Sequence, residues 1–380
     1  MTRIGIIGCG GIAGHHLTVI RELPGEIDCR VTAFCDTDRA AAEKRRDEFG
    51  AGDELVTADC IELLDSGEVD AVLVATPHPH HPEAAIAAFE RGVHVFCEKP
   101  VAVTAGDAAR INDAADKSGC VYTVHFQRRH AARYRWLKDT IAAGLLGRVL
   151  KVNITWTDWY RPQKYYDRGT WRGTWSGEGG GVLMNQCPHD LDLFTWWLGL
   201  PETVDAKIWL GRFHDIEVED EVAVTMKFPG GGVGFLSAST CDAPGVTRWD
   251  ILGDDGAIFI EGDKMRVLRR PGSFTEYTRT TEDIWAPAPL EEVAPRLEPY
   301  GGPQGTAGAW ANFIRAVRGE EEIRMDGREG RASLELANAI VASGFLGEGV
   351  SLPVDSKTYA GILDALRRGE TGKAVTRGAG

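Results

Sequence analysis

The chain has 380 residues, 43% hydrophobic and 26% charged, with a formal net charge of −14 at neutral pH. That length suits two domains, each with its own core. The acidity excludes a nucleic-acid or anionic-membrane partner, because both demand basic patches. No apolar run approaches the roughly 20 residues that span a bilayer. The start, Met1-Thr2-Arg3 running into Ile4, reads as a strand and not as a signal peptide. Eight cysteines are scattered at 9, 29, 35, 60, 97, 120, 187 and 241 without a Cys-x-x-Cys pair. A reduced, cytoplasmic protein without structural zinc is therefore expected.

Residues 3–8 form an apolar strand, and Gly8-Cys9-Gly10-Gly11-Ile12-Ala13-Gly14 follows at once. Gly8, Gly10 and Ala13 satisfy the G-x-G-x-x-[G/A] fingerprint: a tight turn, a close backbone approach to a pyrophosphate, and close helix–strand packing. Gly11 and Ile12 open the helix whose N–H groups would face the phosphates. A second strand, Val31–Cys35, ends at Asp36. An acid there binds a ribose 2′-hydroxyl and repels a 2′-phosphate, so NAD is favoured over NADP; Arg39 nearby is the feature that would suit a 2′-phosphate. Helices over 40–49, 61–64, 83–91 and 105–118 then alternate with strands over 71–75, 93–97 and 121–124. Such alternation predicts a doubly wound parallel sheet, a Rossmann domain over 1–124. Ligands of such sheets lie beyond the strands' carboxyl ends. That directs attention to the glycine turn, to Thr76–His81 and to Glu98-Lys99-Pro100.

From about residue 149 the pattern changes to strands over 149–157, 203–210, 221–228, 233–239, 248–253, 257–261 and 264–268. The second domain, 125–380, is expected to be α+β with a large, mostly antiparallel open sheet. Residues 269–305 read as loop, and helices return over 306–318 and 329–343. Inside this domain Gly179-Gly180-Gly181 precede Asn185, His189 and Asp192, whose i, i+4, i+7 spacing shares one face of a helix. Pro188 inside that helix predicts a kink or a restart. Seven of the 11 tryptophans fall between 156 and 209. Trp196 and Trp197 read as core. Trp156, Trp159, Trp171 and Trp175 accompany Tyr160, Tyr165, Tyr166, Arg161 and Arg172 in a glycine-containing loop. Such a loop suits stacking on a sugar ring, or equally a subunit interface.

A lysine at a strand end can polarise a reacting oxygen, and a histidine can carry a proton near neutral pH; Lys99 and His189 are the catalytic candidates. Asn185 offers a hydroxylated substrate both a donor and an acceptor. Asp192 suits orienting His189, binding substrate or a packing role. His78, His80 and His81 lack a neighbouring acid or thiol, so no metal is expected there.

The ordered motifs Ala75-Thr76-Pro77 with His81, Gly92 through Glu98-Lys99-Pro100, Phe126-Gln127-Arg128-Arg129, Gly179–Asp192 and Asp326–Gly330 together resemble the Gfo/Idh/MocA family, relatives of glucose–fructose oxidoreductase and inositol dehydrogenase. The resemblance implies an NAD(P)-dependent dehydrogenase acting on a secondary alcohol of a sugar, sugar derivative or cyclitol. It places Thr76, Pro77, His81, Glu98 and Lys99 at the cofactor, and gives Lys99 and His189 the catalytic roles. Substrate contacts are expected from Arg129, Tyr160, Tyr166, Trp171, Arg172, Asn185, His189 and Asp192. A homodimer or homotetramer paired through the open sheet face is implied as well. The chain departs from the family pattern at His78, His130 and Asn185, where the family often has asparagine, an aromatic and an acid. Two other readings stay open: a nucleotide-sugar or glycoside 3-dehydrogenase, and a non-catalytic NAD-binding regulator.

Overall fold

Six short apolar runs become six parallel strands in the computed structural model, which describes residues 1–25 and 27–370. They are β1 (Thr2–Ile7), β2 (Cys29–Cys35), β3 (Leu55–Thr57), β4 (Ala71–Val74), β5 (His94–Cys97) and β6 (Tyr122–Val124), in the order β3-β2-β1-β4-β5-β6. Helices α1 (Gly11–Arg21), α2 (Arg39–Phe49), α3 (Cys60–Asp65), α4 (His81–Glu90) and α5 (Ala105–Ser118) connect them. Every residue of β4 is buried, as expected for a strand covered on both faces. The helix starts are set by local chemistry: Asp38, Asp59 and Thr104 each accept a backbone N–H of the first turn, an interaction worth about 1 kcal/mol. Gly119, at φ 68°, ends α5. The strand order reverses between β1 and β4, so the carboxyl edge there is the place for a ligand. Within this sheet only β3, three residues long, has no counterpart in the sequence-based expectation.

This unit is not one continuous stretch. It comprises Met1–Ala132 and Gly301–Leu334, whereas the sequence suggested a single boundary after residue 124. The helix Gly305–Val317 is the physical reason. Its Trp310, Phe313 and Ile314 are fully buried in one cluster with Ile4, Ile6, Leu17 and Phe96, and Trp310 stacks on Phe96 at 4.2 Å. Removing an aromatic of that kind from a core costs about 3–5 kcal/mol, so the segment is part of the first core.

The second unit comprises Arg133–Tyr300 and the described residues from Glu335 onward. Its nine strands are β7 (Val149–Trp156), β8 (Thr203–Leu210), β9 (Glu219–Lys227), β10 (Val233–Ser239), β11 (Thr247–Gly253), β12 (Gly256–Glu261), β13 (Lys264–Arg269), β14 (Glu291–Glu292) and β15 (Val350–Ser351). Their order is β14-β13-β12-β11-β7-β10-β9-β8-β15. All pairs are antiparallel except β7 with β10. Alternate residues of β9 are buried and exposed, the signature of a sheet with one packed face. Helix Pro188–Leu198 covers that face, with Phe194 against Phe228 and Trp197 against Trp249. On the other face Asn153, Thr155, Asp205, Lys207, Thr225 and Phe235 line a shallow hollow of about 510 Å³. Four helices among the described residues were not anticipated: Ala132–Ala142, Gln163–Tyr166 inside the aromatic loop, Phe274–Thr280 inside the supposed loop, and Ser356–Arg367. Among the described residues no helix is long and apolar enough to cross a membrane.

Candidate active site

The glycine turn after β1 contains two kinds of glycine. Gly8 adopts φ +93°, and a Cβ there would lie 2.6 Å from the Ala75 carbonyl, so packing alone forbids a side chain. At Gly10 and Gly11 an added Cβ would meet nothing within 4 Å. Their bare backbone leaves open space at the start of α1, whose N-terminus no side chain caps. Uncapped N–H groups beside open space fit a pyrophosphate. Ala13 is fully buried, as close helix–strand packing requires, while Ile12 stays 42% exposed.

Asp36 lies at the end of β2 and accepts the Cys9 N–H at 2.7 Å and the Asp38 N–H at 2.9 Å. Its carboxylate is thereby fixed at the edge where a ribose belongs. Arg39 points into solvent and pairs with Glu43. Arg45, which belongs to no local motif, braces the turn: its guanidinium donates to the carbonyls of Cys9 and Gly10 at 3.2 and 2.9 Å. These residues fit a dinucleotide with an unphosphorylated ribose.

Thr76 and Pro77 form the loop after β4, half-buried and exposed respectively. His81 is fully buried. Its Nε2 faces the Thr76 carbonyl at 2.8 Å and its Nδ1 the Pro100 carbonyl at 2.9 Å. It ties the loop after β4 to the turn after β5, and burial pulls its imidazole below the ordinary value.

Lys99 follows β5, is partly exposed and precedes a cis Pro100. The neighbouring Glu98 is buried, and both of its oxygens are engaged. Oε1 meets His16 Nε2 at 2.6 Å and His125 Nδ1 at 2.7 Å, while Oε2 accepts the Lys99 N–H at 2.9 Å. Trp310 donates to His16 Nδ1 at 2.9 Å, so the His16 proton resides on Nε2 and points at the carboxylate. Burial opposes the charge on Glu98, but the two imidazoles hold its carboxyl well below the ordinary range. Glu98, expected at the cofactor, acts in this structure as the anchor of the Lys99 backbone. His16, His125 and Trp310 come from α1, the end of β6 and a helix some 185 residues further on, and no local motif links them.

In the second unit the glycine-led segment breaks in two, into Val182–Asn185 and Pro188–Leu198, with Pro188 opening the second helix. Asn185 and His189 therefore do not share one helix, although the spacing suggested it. Gly179 and Gly180 take φ of 81° and 157°. A Cβ on Gly181 would collide with the Glu219 carbonyl, so this glycine permits a close approach to β9. His189, 8% exposed, stands in the first turn of the second helix; Asp190 and Asp192 are both 1% exposed. The Trp159 indole faces Asp190 at 3.4 Å. Asn185 donates to Glu178, a buried carboxylate that also accepts the Gly173 N–H at 2.8 Å and lies 3.9 Å from Arg172. An acid thus adjoins the position where the family often has one.

The aromatic loop is a ladder of rings and guanidinium groups. Arg161 lies over Trp159 and Tyr165, at 5.5 and 5.0 Å from the ring centres. Arg172 lies over Tyr165 and Trp171, at 4.5 and 4.4 Å, and also donates to the Tyr165 hydroxyl at 2.6 Å. Tyr160 is 54% exposed. Trp156 and Trp175, grouped with this loop from sequence, are core residues: Trp156 ends β7, and Trp175 packs on Phe345 and donates to the Glu217 carbonyl. Tyr166 is buried with its hydroxyl 3.3 Å from Thr240. Arg129, in the first unit, is 2% exposed and paired with Glu329.

A glycine turn open to a pyrophosphate, an acid at the end of β2 and a lysine held at the end of β5 define an NAD-binding oxidoreductase. Residues 2–126 match the oxidoreductase family with an NAD-binding Rossmann fold, and residues 134–259 match the Gfo/Idh/MocA C-terminal domain. The inositol 2-dehydrogenase of Streptomyces avermitilis is 33% identical over 345 residues, 88% of this chain and 94% of that one. The 1,5-anhydro-D-fructose reductase of Ensifer adhaerens is 27% identical over 357 residues, 93% and 99% of the two chains. Among solved structures, the WlbA dehydrogenase from Bordetella pertussis in complex with NADH and UDP-GlcNAcA superposes with a TM-score of 0.77 at 29% identity, covering 93% of this chain and 99% of that one. The chain belongs to the Gfo/Idh/MocA family.

Proposed function

We propose that the protein is an NAD-dependent dehydrogenase that moves hydride reversibly between a secondary alcohol of a sugar, sugar derivative or cyclitol and nicotinamide. The observation that carries this reading is the mounting of Lys99. Its backbone N–H is held by a buried carboxylate, itself fixed by two imidazoles, at the carboxyl edge of a sheet whose glycine turn is open to a pyrophosphate. Bound NAD supplies the hydride acceptor. Gly10, Gly11 and Asp36 hold it by backbone and ribose. The Lys99 ammonium stabilises the charge that develops on the substrate oxygen. His189 takes the alcohol proton during oxidation and returns it during reduction. Asn185, oriented by Glu178, binds a hydroxyl.

The substrate is read more finely from the ladder of Arg161, Tyr165, Arg172 and Trp171. Rings and guanidinium groups together suit a pyranose or cyclitol face with an anionic substituent. That favours a nucleotide sugar or an acidic glycoside as the second reading, in keeping with the UDP-GlcNAcA-bound WlbA relative. The protein acts as a homo-oligomer paired through the open face of the nine-stranded sheet, where Trp209, Val233 and Phe235 are exposed. The test is NADH formation across a panel of inositols, aldoses, glycosides and nucleotide sugars. Turnover on a member of the panel is the expected outcome. NAD binding without turnover on any of them would favour a regulatory protein.

A further inference from the structure

His214, Asp220 and Cys241 come from three separated segments of the second unit: the loop after β8, the second residue of β9, and the turn after β10. Their donor atoms face a common point. His214 Nδ1 lies 3.1 Å from Asp220 Oδ2 and 3.5 Å from Cys241 Sγ, and Sγ lies 4.0 Å from the same Oδ2. We propose that these three side chains form a binding site for a divalent transition-metal ion of the zinc class.

Three observations support the assignment. The first is spacing. Zinc bonds of about 2.0–2.2 Å to nitrogen and oxygen and 2.3 Å to sulfur, arranged tetrahedrally, separate the ligand atoms by about 3.3–3.6 Å. The observed triangle is close to that, and a shift of a few tenths of an ångström in Cys241 closes it.

The second is tautomer. His214 Nε2 lies 2.7 Å from the Arg161 carbonyl, which only accepts, so Nε2 carries a proton. Nδ1 is then the nitrogen that faces the carboxylate and the thiol, and it is the one a metal ion would take. A histidine that donates one N–H to a backbone carbonyl and offers its other nitrogen to a metal is the usual arrangement around a ligand. Asp220 is supported in the same way, since its oxygens accept the N–H groups of Arg212 and Phe213, each at 2.9 Å.

The third is charge in a mostly buried place, with Cys241 at its partly exposed edge. The His214 and Asp220 side chains are 6% and 0% exposed. A carboxylate and a thiolate with a neutral imidazole neutralise a divalent ion. Binding forms metal–nitrogen, metal–oxygen and metal–sulfur bonds and releases the Cys241 thiol proton to solvent, with no redox change. The other His/Glu cluster, around Glu98, differs: there Trp310 fills His16 Nδ1, and the other His16 nitrogen faces the carboxylate. The proposed site leaves one coordination position for water. By joining the segments that carry Arg161, His214, Asp220 and Cys241, it stiffens the floor under Tyr166, whose ring packs 4.8 Å from His214.

The test uses Co²⁺ and Zn²⁺ on the full chain and needs no activity. Chelator-treated protein should take up one equivalent of Co²⁺ with a thiolate-to-cobalt charge-transfer band, release protons, and lose the band to Zn²⁺. Cys241→Ser should abolish the band, and Asp220→Asn should weaken zinc binding tenfold or more. X-ray absorption of the zinc-loaded wild type should show one sulfur with nitrogen and oxygen ligands, a readout that does not depend on the variants folding. No stoichiometric uptake, a band unchanged in Cys241→Ser, or a zinc shell without sulfur would each overturn the proposal. So would His214 remaining doubly protonated in ¹⁵N spectra at saturating Zn²⁺, which would mean an imidazolium–carboxylate pair.

Discussion

Glu219 offers a test of the second unit's energetics. It is fully buried at the start of β9, where Oε1 accepts the Leu183 N–H at 3.2 Å and Oε2 has no partner. Burial pushes its carboxyl up from 4.5 to about 7, against the backbone N–H groups that favour the charge. The native state therefore holds a proton that the unfolded chain releases near pH 4.5. Stability is greatest below that value and falls as pH rises through about 7. At 1.36 kcal/mol per pH unit, raising the carboxyl from 4.5 to about 7 amounts to a loss of about 3 kcal/mol. Glu219→Gln cannot ionise and should abolish this decline while keeping the acceptor for Leu183. Its new amide group faces the place where Oε2 had no partner, which costs about 1–3 kcal/mol at every pH. The diagnostic is thus the slope and not the absolute stability. Urea unfolding at intervals from pH 5 to pH 8 should show the variant losing about 2.5 kcal/mol less than the wild type across that range, part of the effect having already developed below pH 5. Parallel curves for the two proteins would refute the reasoning.

The two kinds of glycine should separate in the turn after β1. Gly8→Ala forces a Cβ against the Ala75 carbonyl at positive φ and should lower Tm by several degrees or prevent folding. Gly10→Ala meets open space, so Tm in the absence of NAD should be unchanged while calorimetry shows NAD affinity falling at least tenfold. At Glu98 the folded pKa is depressed, so its contribution to stability is present above the ordinary carboxyl value and is lost as pH falls through the folded one. Glu98→Gln places an amide against the Lys99 N–H; melts should show a lower Tm at neutral pH and a flatter dependence on acid.

The parallel sheet was legible in the sequence because its strands are continuous apolar runs punctuated by glycine turns, and β7 to β13 because their alternation matches one packed face. The missed helices have other causes. Ala132–Ala142 follows the Arg128-Arg129-His130 run without a capping signal, and Phe274–Thr280 lies among prolines and polar residues. The helix Gly305–Val317 was visible, but its membership in the first core was not, because packing against Phe96 is a long-range fact. At the site, Gly8, Gly10, Asp36, Lys99 and His189 could be singled out from local motifs. His16, His125 and Arg45 could not, since their meaning arises only when α1, α2 and β6 are brought to one edge. The aromatic cluster was partly misread for the same reason: composition placed Trp156 and Trp175 with Trp159 and Trp171, and burial divides them.

Lys99 and His189 carry separate roles in the proposed hydride transfer. Turnover with the best substrate of the panel, measured beside the NAD dissociation constant, tests both in Lys99→Ala and His189→Ala. Each substitution should lower kcat by at least a hundredfold, in line with the loss of an electrostatic or proton-transfer group, and leave the NAD dissociation constant within a few fold of wild type. Wild-type turnover in both variants would contradict the mechanism.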